Sequence, residues 1–333
     1  MTLALPVDLA DAALTAEMAE DLAVVEVALQ DNSFGGDEMF LEASRLMMRA
    51  GGKRFRPMLV LLAGRFGDGR DKRLVPAAVA IELTHLATLF HDDVMDEASI
   101  RRGHESANSR FGNSVAILAG DHLFARASRS LADLGPEAIR IQAETFGRLV
   151  DGQLLETVGV RPGEDPLDHY MRVIDGKTGS LIATAGRFGA MFSGLPDETA
   201  DLIADACLRI GIAWQLSDDV LDIASTSDES GKEQGTDLRQ GVQTLPVLYA
   251  LRDTSSAASA VRLRSLLREG DLTDPVLHAE ALSLLRSSPS LTSARETVHA
   301  WVSEARALLA QLPDVPSRDA FVSLCDYVET RTA

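Results

Sequence analysis

Apolar residues recur every three or four positions along most of this 333-residue chain. The pattern is plain across Leu22–Leu29, Ala78–Leu89 and Leu202–Leu216, and it is the period of a helix with a buried face. No sustained apolar/polar alternation of the strand kind appears. Gly, Pro and Asp cluster at Asp31–Asp37, Gly67–Asp71, Gly135-Pro136, Arg161–Pro166, Gly194–Asp197 and Ser225–Gly241, which reads as punctuation between helices. The spacing predicts helices near 14–30, 38–50, 54–66, 75–97, 108–132, 137–158, 166–175 and 179–193. Further helices are expected near 198–223, 244–253, 258–269, 275–287, 292–311 and 316–331. With no internal repeat and no low-complexity linker, the expectation is a single all-α domain over 1–333. It has an N-terminal helical segment at about 1–50, a motif-bearing core at about 51–250 and C-terminal helices at about 251–333.

Charge and composition narrow the function. Against 32 Lys and Arg stand 50 Asp and Glu, a formal charge of −18. Such a chain does not suit general nucleic-acid binding, which needs basic patches to neutralise phosphates. Hydrophobic residues make up 46%, enough for a large core. No uninterrupted run of 18 apolar residues marks a transmembrane segment. Residues 1–20 carry Asp8, Asp11, Glu17 and Glu20 without Lys or Arg, the wrong charge for a secretory or transit peptide. Cys207 and Cys325 form neither a disulfide framework nor metal-site spacing, which fits a reducing cytoplasm.

Two acidic clusters carry the candidate chemistry. Phe90-His91-Asp92-Asp93-Val94-Met95-Asp96 closes one apolar helix, and Gln215-Leu216-Ser217-Asp218-Asp219-Val220-Leu221-Asp222 closes another. Each has the form Asp-Asp-x-x-Asp, so its first and last carboxylates lie one turn apart on one helical face. The middle Asp sits roughly 100° around the helix and can lean toward that face. Like charges at this spacing repel, and anions near a helix C-terminus oppose its dipole. A hard divalent cation relieves both penalties, and Mg²⁺ typically binds through one or two carboxylates, waters and substrate phosphates. An acidic run is usually solvated surface, but two copies at identical spacing, each after an apolar helix, favour a site. Calcium loops and Cys/His zinc sites are absent from the pattern.

The scarce cations sit beside glycines. Gly51-Gly52-Lys53-Arg54-Phe55-Arg56-Pro57 puts three after a Gly pair at a helix start, where backbone amides and planar guanidinium forks suit phosphate oxygens. Arg101-Arg102-Gly103, Gly176-Lys177-Thr178-Gly179 and Gly231-Lys232 follow. His85, two turns before Asp92, is equally a phosphate ligand or a satisfied interior histidine. Neither a nucleotide-binding fingerprint nor a nucleophile elbow is present.

In series, these motifs resemble the trans-isoprenyl diphosphate synthases, or polyprenyl synthetases, from about Gly51 to Tyr249. The resemblance rests on Gly-Gly-Lys-Arg-Phe-Arg-Pro, His-Asp-Asp-Val-Met-Asp with Arg-Arg-Gly, Lys-Thr-Gly-Ser-Leu, Gln-Leu-Ser-Asp-Asp-Val-Leu-Asp, and Gly-Lys-Glu-Gln-Gly-Thr-Asp-Leu-Arg-Gln-Gly with Thr-Leu-Pro. It implies an antiparallel helical bundle around a central apolar cavity. It also implies a prenyltransferase joining isopentenyl diphosphate to an allylic prenyl diphosphate, using about three Mg²⁺ ions. Asp92, Asp93, Asp96, Asp218, Asp219 and Asp222 are then the metal-binding carboxylates. Arg101, Lys177, Thr178, Gln215 and Lys232 contact the allylic substrate, while Lys53, Arg56, His85 and Arg102 bind isopentenyl diphosphate. A homodimer is also implied.

Two departures stand out. Gly241 is followed by Val242 where the family commonly has Lys, leaving Arg239 or Lys232 to compensate, and Glu105-Ser106 replaces a Pro-Thr pair. Short-chain members often carry an aromatic four or five residues before the first Asp. Here those positions are Thr88 and Ala87, with Thr84 and Ala80 behind them, so the expected product exceeds C20, its floor set by Phe124 or Leu123. Close helix packing explains small residues equally well. The rival readings are a geranylgeranyl or farnesyl diphosphate synthase, a class I terpene cyclase, whose second metal motif usually mixes Asn, Ser or Thr and Glu, and an accessory subunit. Both Asp clusters being intact favours condensation, while Val242 keeps the accessory reading open.

Overall fold

The computed structural model describes residues 9, 11–33, 38–49, 52, 54–224 and 234–332. In chain order the helices are α1 (Ala12–Ser33), α2 (Glu38–Arg49), α3 (Phe55–Gly64) and α4 (Leu74–Met95), followed by a small hairpin of β1 (Ile100–Arg101) and β2 (His104–Glu105). Then come α5 (Ala107–Phe111), α6 (Asn113–Ala132), α7 (Pro136–Val158) and α8 (Pro166–Ile174). A π turn at Asp175–Gly179 leads into α9 (Ser180–Phe192) and α10 (Asp197–Ala224). The rest is α11 (Thr236–Arg239), α12 (Leu245–Arg252), α13 (Ala258–Glu269), α14 (Pro275–Arg286), α15 (Pro289–Leu309) and α16 (Pro316–Thr330).

Two helix starts are written in the sequence. Asp165 and Asp274 each precede a Pro at the first helical position and accept the free amides of the first turn, at 2.8 Å from Leu167 N and 2.8 Å from Val276 N.

The chain forms two compact units. One comprises 1–147, 181–207 and 309–323; the other comprises 148–180, 208–308 and 324–333. In the first, α4 packs against α1, α3 and α6, with Ala77, Ala78, Ile81, Leu83, Ala87 and Phe90 fully buried. By length and composition α4 could cross a membrane, but 67% of its most apolar window is buried, as in a core helix. In the second unit α12 packs on α8, α13 and α14.

Three details differ from the periodicity. The helix expected over 108–132 is broken at Gly112, whose backbone (φ 83°, ψ 158°) separates α5 from α6. The stretch after Asp96 forms the hairpin, because Arg102 and Gly103 both take positive φ (51° and 78°), the backbone of a tight two-residue turn. Part of the expected loop 225–241 is the short helix α11.

Candidate functional site

The first acidic cluster ends α4. Asp92 and Asp93 occupy its last turn and Asp96 its C-cap. The middle carboxylate turns inward. Asp93 is fully buried, and its Oδ1 accepts from Arg101 Nε at 2.6 Å and ion-pairs with the same guanidinium at 2.5 Å. Its Oδ2 is buried without a described partner. Burial raises the Asp93 pKa, and the Arg101 hydrogen bond and charge oppose the rise. The backbone also closes on this residue, since Ala98 N donates to Asp93 O at 2.9 Å. The hairpin therefore fixes Arg101 on the cluster, while Arg102 heads the turn.

A cationic group surrounds His85 in the same unit. Arg54 sits in the left-handed region (φ 48°) and is buried, donating to Glu26 at 2.7 Å and to Glu82 at 3.0 Å. That removes Arg54 from the cations free to meet an anion. Arg56 and Arg102 have no carboxylate ion pair among the described residues, and Arg56 Nε is buried without a partner. Burial lowers the pKa of both. His85 is held well below its usual value, first by burial and then by Arg56, Arg102, Arg54 and Arg101. A neutral imidazole beside guanidinium groups that make no ion pair among the described residues suits an anion with several oxygens. Lys53 and Lys232 lie outside the described residues.

The second cluster lies near the end of α10, in the other unit. Asp218 is 46% exposed and pairs with Arg331, whose guanidinium lies over Trp214 at 4.8 Å. Asp222 accepts the amides of Thr236 at 3.1 Å and Asp237 at 3.2 Å. Asp219, the middle residue, is again buried. Its Oδ2 accepts from the Tyr170 hydroxyl and from Leu245 N at 3.3 Å, and its Oδ1 accepts from Gln215 Nε2 at 3.3 Å. Burial pushes its pKa up to about 7 against these hydrogen bonds. Among the described residues, no three His, Cys, Asp or Glu side chains converge closely enough to hold a metal alone.

Lys177 and Thr178 stand on the π turn, a form often found at functional sites. The turn is seated against α7 at Gly152, where an added Cβ would meet Lys177 N at 2.6 Å. Lys177 Nζ contacts Glu156 at 2.5 Å, and Thr178 Oγ1 donates to Gln215 Oε1 at 3.4 Å. Tyr170 and Arg331 were not anticipated from the sequence. Tyr170 reaches its Asp from α8 and Arg331 from the turn after α16, which spacing cannot reveal. Val242 is 47% exposed. The nearby Arg239 guanidinium reaches His278 Nδ1 at 3.5 Å.

With this geometry in hand, the polyprenyl synthetase family profile matches residues 37–283. The chain belongs to that family. It is similar to a nonaprenyl diphosphate synthase of Mycobacterium tuberculosis, at 48% identity over 98% of this chain and 96% of the relative. Its fold matches the geranylgeranyl pyrophosphate synthase of Corynebacterium glutamicum complexed with calcium and isoprenyl diphosphate. There the TM-score is 0.88 at 43% identity, covering 98% of this chain and 99% of that one. A decaprenyl diphosphate synthase from Rhodobacter capsulatus gives a TM-score of 0.85 at 33% identity, covering 95% and 98%.

In this polyprenyl synthetase the residues before the first cluster belong to α4. Ala87 and Thr84 are fully buried. Thr84 Oγ1 accepts from Gln142 Nε2 at 2.7 Å and donates to Ala80 O at 2.8 Å. Thr88 Oγ1 donates to His85 O at 2.7 Å. Phe124 packs between His91 and Phe146, ring centroids 5.7 and 4.4 Å away.

Proposed function

We propose that this polyprenyl synthetase condenses isopentenyl diphosphate with an allylic prenyl diphosphate to give an all-trans polyprenyl diphosphate longer than C20, using Mg²⁺. The observation carrying this reading is the pairing of acidic and cationic groups at the end of α4. A carboxylate cluster with an orphaned buried oxygen, Asp93 Oδ2, stands in the same unit as Arg56, Arg102 and a neutral His85. The all-oxygen donor set fits a hard divalent cation that keeps water and phosphate ligands, and the calcium-bound relative supports divalent-metal use.

In this reading Asp92, Asp93 and Asp96 would hold metal for the allylic diphosphate, and Asp218 with Asp222 would offer a second set of metal-holding carboxylates. Bound Mg²⁺ supplies neutralisation of the charge that develops on the departing diphosphate. Lys177, Thr178, Gln215, Arg101 and Lys232 would orient that diphosphate and stabilise its negative charge. Arg56, Arg102, Lys53 and His85 bind isopentenyl diphosphate, aligning its double bond with the allylic carbon. Apolar helix walls exclude water from the carbocation, so that carbon–carbon bond formation outruns hydrolysis. The proton lost afterwards goes to the released diphosphate, so no side-chain nucleophile is needed.

The growing chain runs back along α4 past Thr88, Ala87 and Thr84, with its floor near Phe124. The nonaprenyl and decaprenyl relatives support a long product. A C20 product is the second reading, favoured by the 43% identical geranylgeranyl synthase. The enzyme acts in the cytoplasm as a homodimer. Both cysteines are buried and neither forms a disulfide among the described residues, which suits a reducing compartment. Phe146, Val150, Leu154 and Val158 are all exposed along one face of α7, an apolar stripe suited to a second copy.

The test is incubation of purified protein with Mg²⁺, isopentenyl diphosphate and C10, C15 or C20 primers, followed by product chromatography. Linear diphosphates beyond C20 are expected. Cyclic hydrocarbons, or no condensation with any primer, would refute the reading.

A further inference from the structure

On the reading that Lys177, Thr178 and Gln215 hold the allylic diphosphate, we propose that Tyr170 is a positioning residue for that subsite. It acts through Asp219, which serves as the hub of a hydrogen-bond ring instead of a metal ligand.

The three carboxylates of the second cluster are not equivalent. Asp218 and Asp222 share one face of α10, one turn apart, and Asp218 is 46% exposed. Asp219 lies roughly 100° around the helix and is only 4% exposed. Its Oδ2 accepts from both the Tyr170 hydroxyl and Leu245 N at 3.3 Å, which uses both lone pairs of that oxygen. Its Oδ1 accepts from Gln215 Nε2 at 3.3 Å. A buried carboxylate already saturated on one oxygen and engaged on the other is a poor ligand for a cation that keeps much of its water.

The same contacts form a closed circuit. Gln215 turns its amide hydrogens to Asp219 and its Oε1 to the Thr178 hydroxyl, at 3.4 Å. Thr178 sits on the π turn, which continues directly from α8, and α8 carries Tyr170. The circuit Tyr170–Asp219–Gln215–Thr178, closed by the backbone between Tyr170 and Thr178, therefore fastens α8 and the π turn to α10 at one point each. Asp219 Oδ1, as the acceptor, also sets the Gln215 rotamer, because only the NH₂ end of the amide donates to it. That leaves Oε1 facing Thr178 and sets which way the Thr178 hydroxyl points. Leu245 N brings the start of α12 onto the same carboxylate. Tyr170 donates the hydroxyl hydrogen bond of the set, while the Leu245, Gln215 and Thr178 links are long. Loss of that hydroxyl should loosen the register of the turn bearing Lys177 and Thr178.

The experiment compares Tyr170→Phe, Asp219→Asn, Thr178→Ala and the Tyr170→Phe/Thr178→Ala double variant. Tyr170→Phe should raise the KM for the allylic diphosphate about tenfold, the scale of one lost hydrogen bond. The KM for isopentenyl diphosphate should stay within about twofold, well inside that scale. Adding Thr178→Ala to Tyr170→Phe should cost less than the product of the single effects, since both act through one ring. Asp219→Asn should leave the Mg²⁺ concentration at half-maximal turnover unchanged. Equal rises in both KM values, fully multiplicative effects, or a tenfold shift of the Mg²⁺ midpoint in Asp219→Asn would each overturn the proposal. Calorimetric titration with inorganic pyrophosphate in Mg²⁺ reads the ring without turnover. Weaker pyrophosphate binding in Tyr170→Phe supports it even where the wild-type chain makes no prenyl product, and unchanged binding sinks it.

Discussion

Arg54 and Arg56 stand two positions apart and do different work. The sequence groups them with Lys53 as phosphate-facing cations, yet Arg54 turns into the protein and is consumed by Glu26 and Glu82. Its left-handed backbone, unfavourable for a residue with a Cβ, is held by those two carboxylates. Arg54→Ala should lower stability by about 3–5 kcal/mol in denaturant titration, the cost of leaving buried charge unpaired; a loss below 1 kcal/mol would refute this anchoring role. His85 makes a pH-dependent prediction. Its folded pKa is depressed, so the unfolded chain binds the proton more readily, and the associated stability is present above about 6.5. As pH falls below 6.5 that stability is lost. The melting temperature of His85→Gln should therefore fall less than wild type between pH 8 and pH 5.5. Parallel curves would mean that His85 titrates normally.

At the scale of elements the chain was largely legible. The helical period gave almost every helix to within a few residues, because most are amphipathic or buried and end at Gly, Pro or Asp. What escaped were features needing two signals at once. The hairpin at Ile100–Glu105 depends on Arg102-Gly103, an X-Gly pair that reads as a turn only when the flanking residues are recognised as strands. Helical geometry lets the middle Asp of each cluster lean toward its neighbours' face. Each also meets partners on other segments, Arg101 for Asp93 Oδ1 and Tyr170 with Leu245 for Asp219 Oδ2. Linear spacing fixes the helical angle but not the neighbour waiting at that angle. Along α4, Ala87 lies about one turn before Asp92, roughly the length of an isoprene unit. Ala87→Phe should shorten the main product, read by chromatography of the prenyl alcohols. An unchanged chain-length distribution would place the tunnel elsewhere.

For the whole molecule, the exposed apolar stripe on α7 is the proposed contact with a second copy. Leu154→Glu puts a charge at its centre, where Leu154 is 55% exposed in the single chain. The wild type should sediment as a dimer, with Leu154→Glu shifted to monomer. A variant that still sediments as the wild-type dimer would move the interface to another face. Charge is a second whole-molecule property. A net −18 opposes the approach of any anion, so the proposed diphosphate binding depends on local cations such as Arg56, Arg101 and Arg102. Metal carried in with a diphosphate would lessen that repulsion.

The central claim is that each acidic cluster, as proposed, holds Mg²⁺ for an allylic diphosphate. Its most direct measurement is calorimetric titration of an unreactive allylic thiodiphosphate, in Mg²⁺, into wild type, Asp92→Ala and Asp218→Ala. Each variant should weaken binding at least tenfold. Wild-type affinity in either variant would contradict the claim.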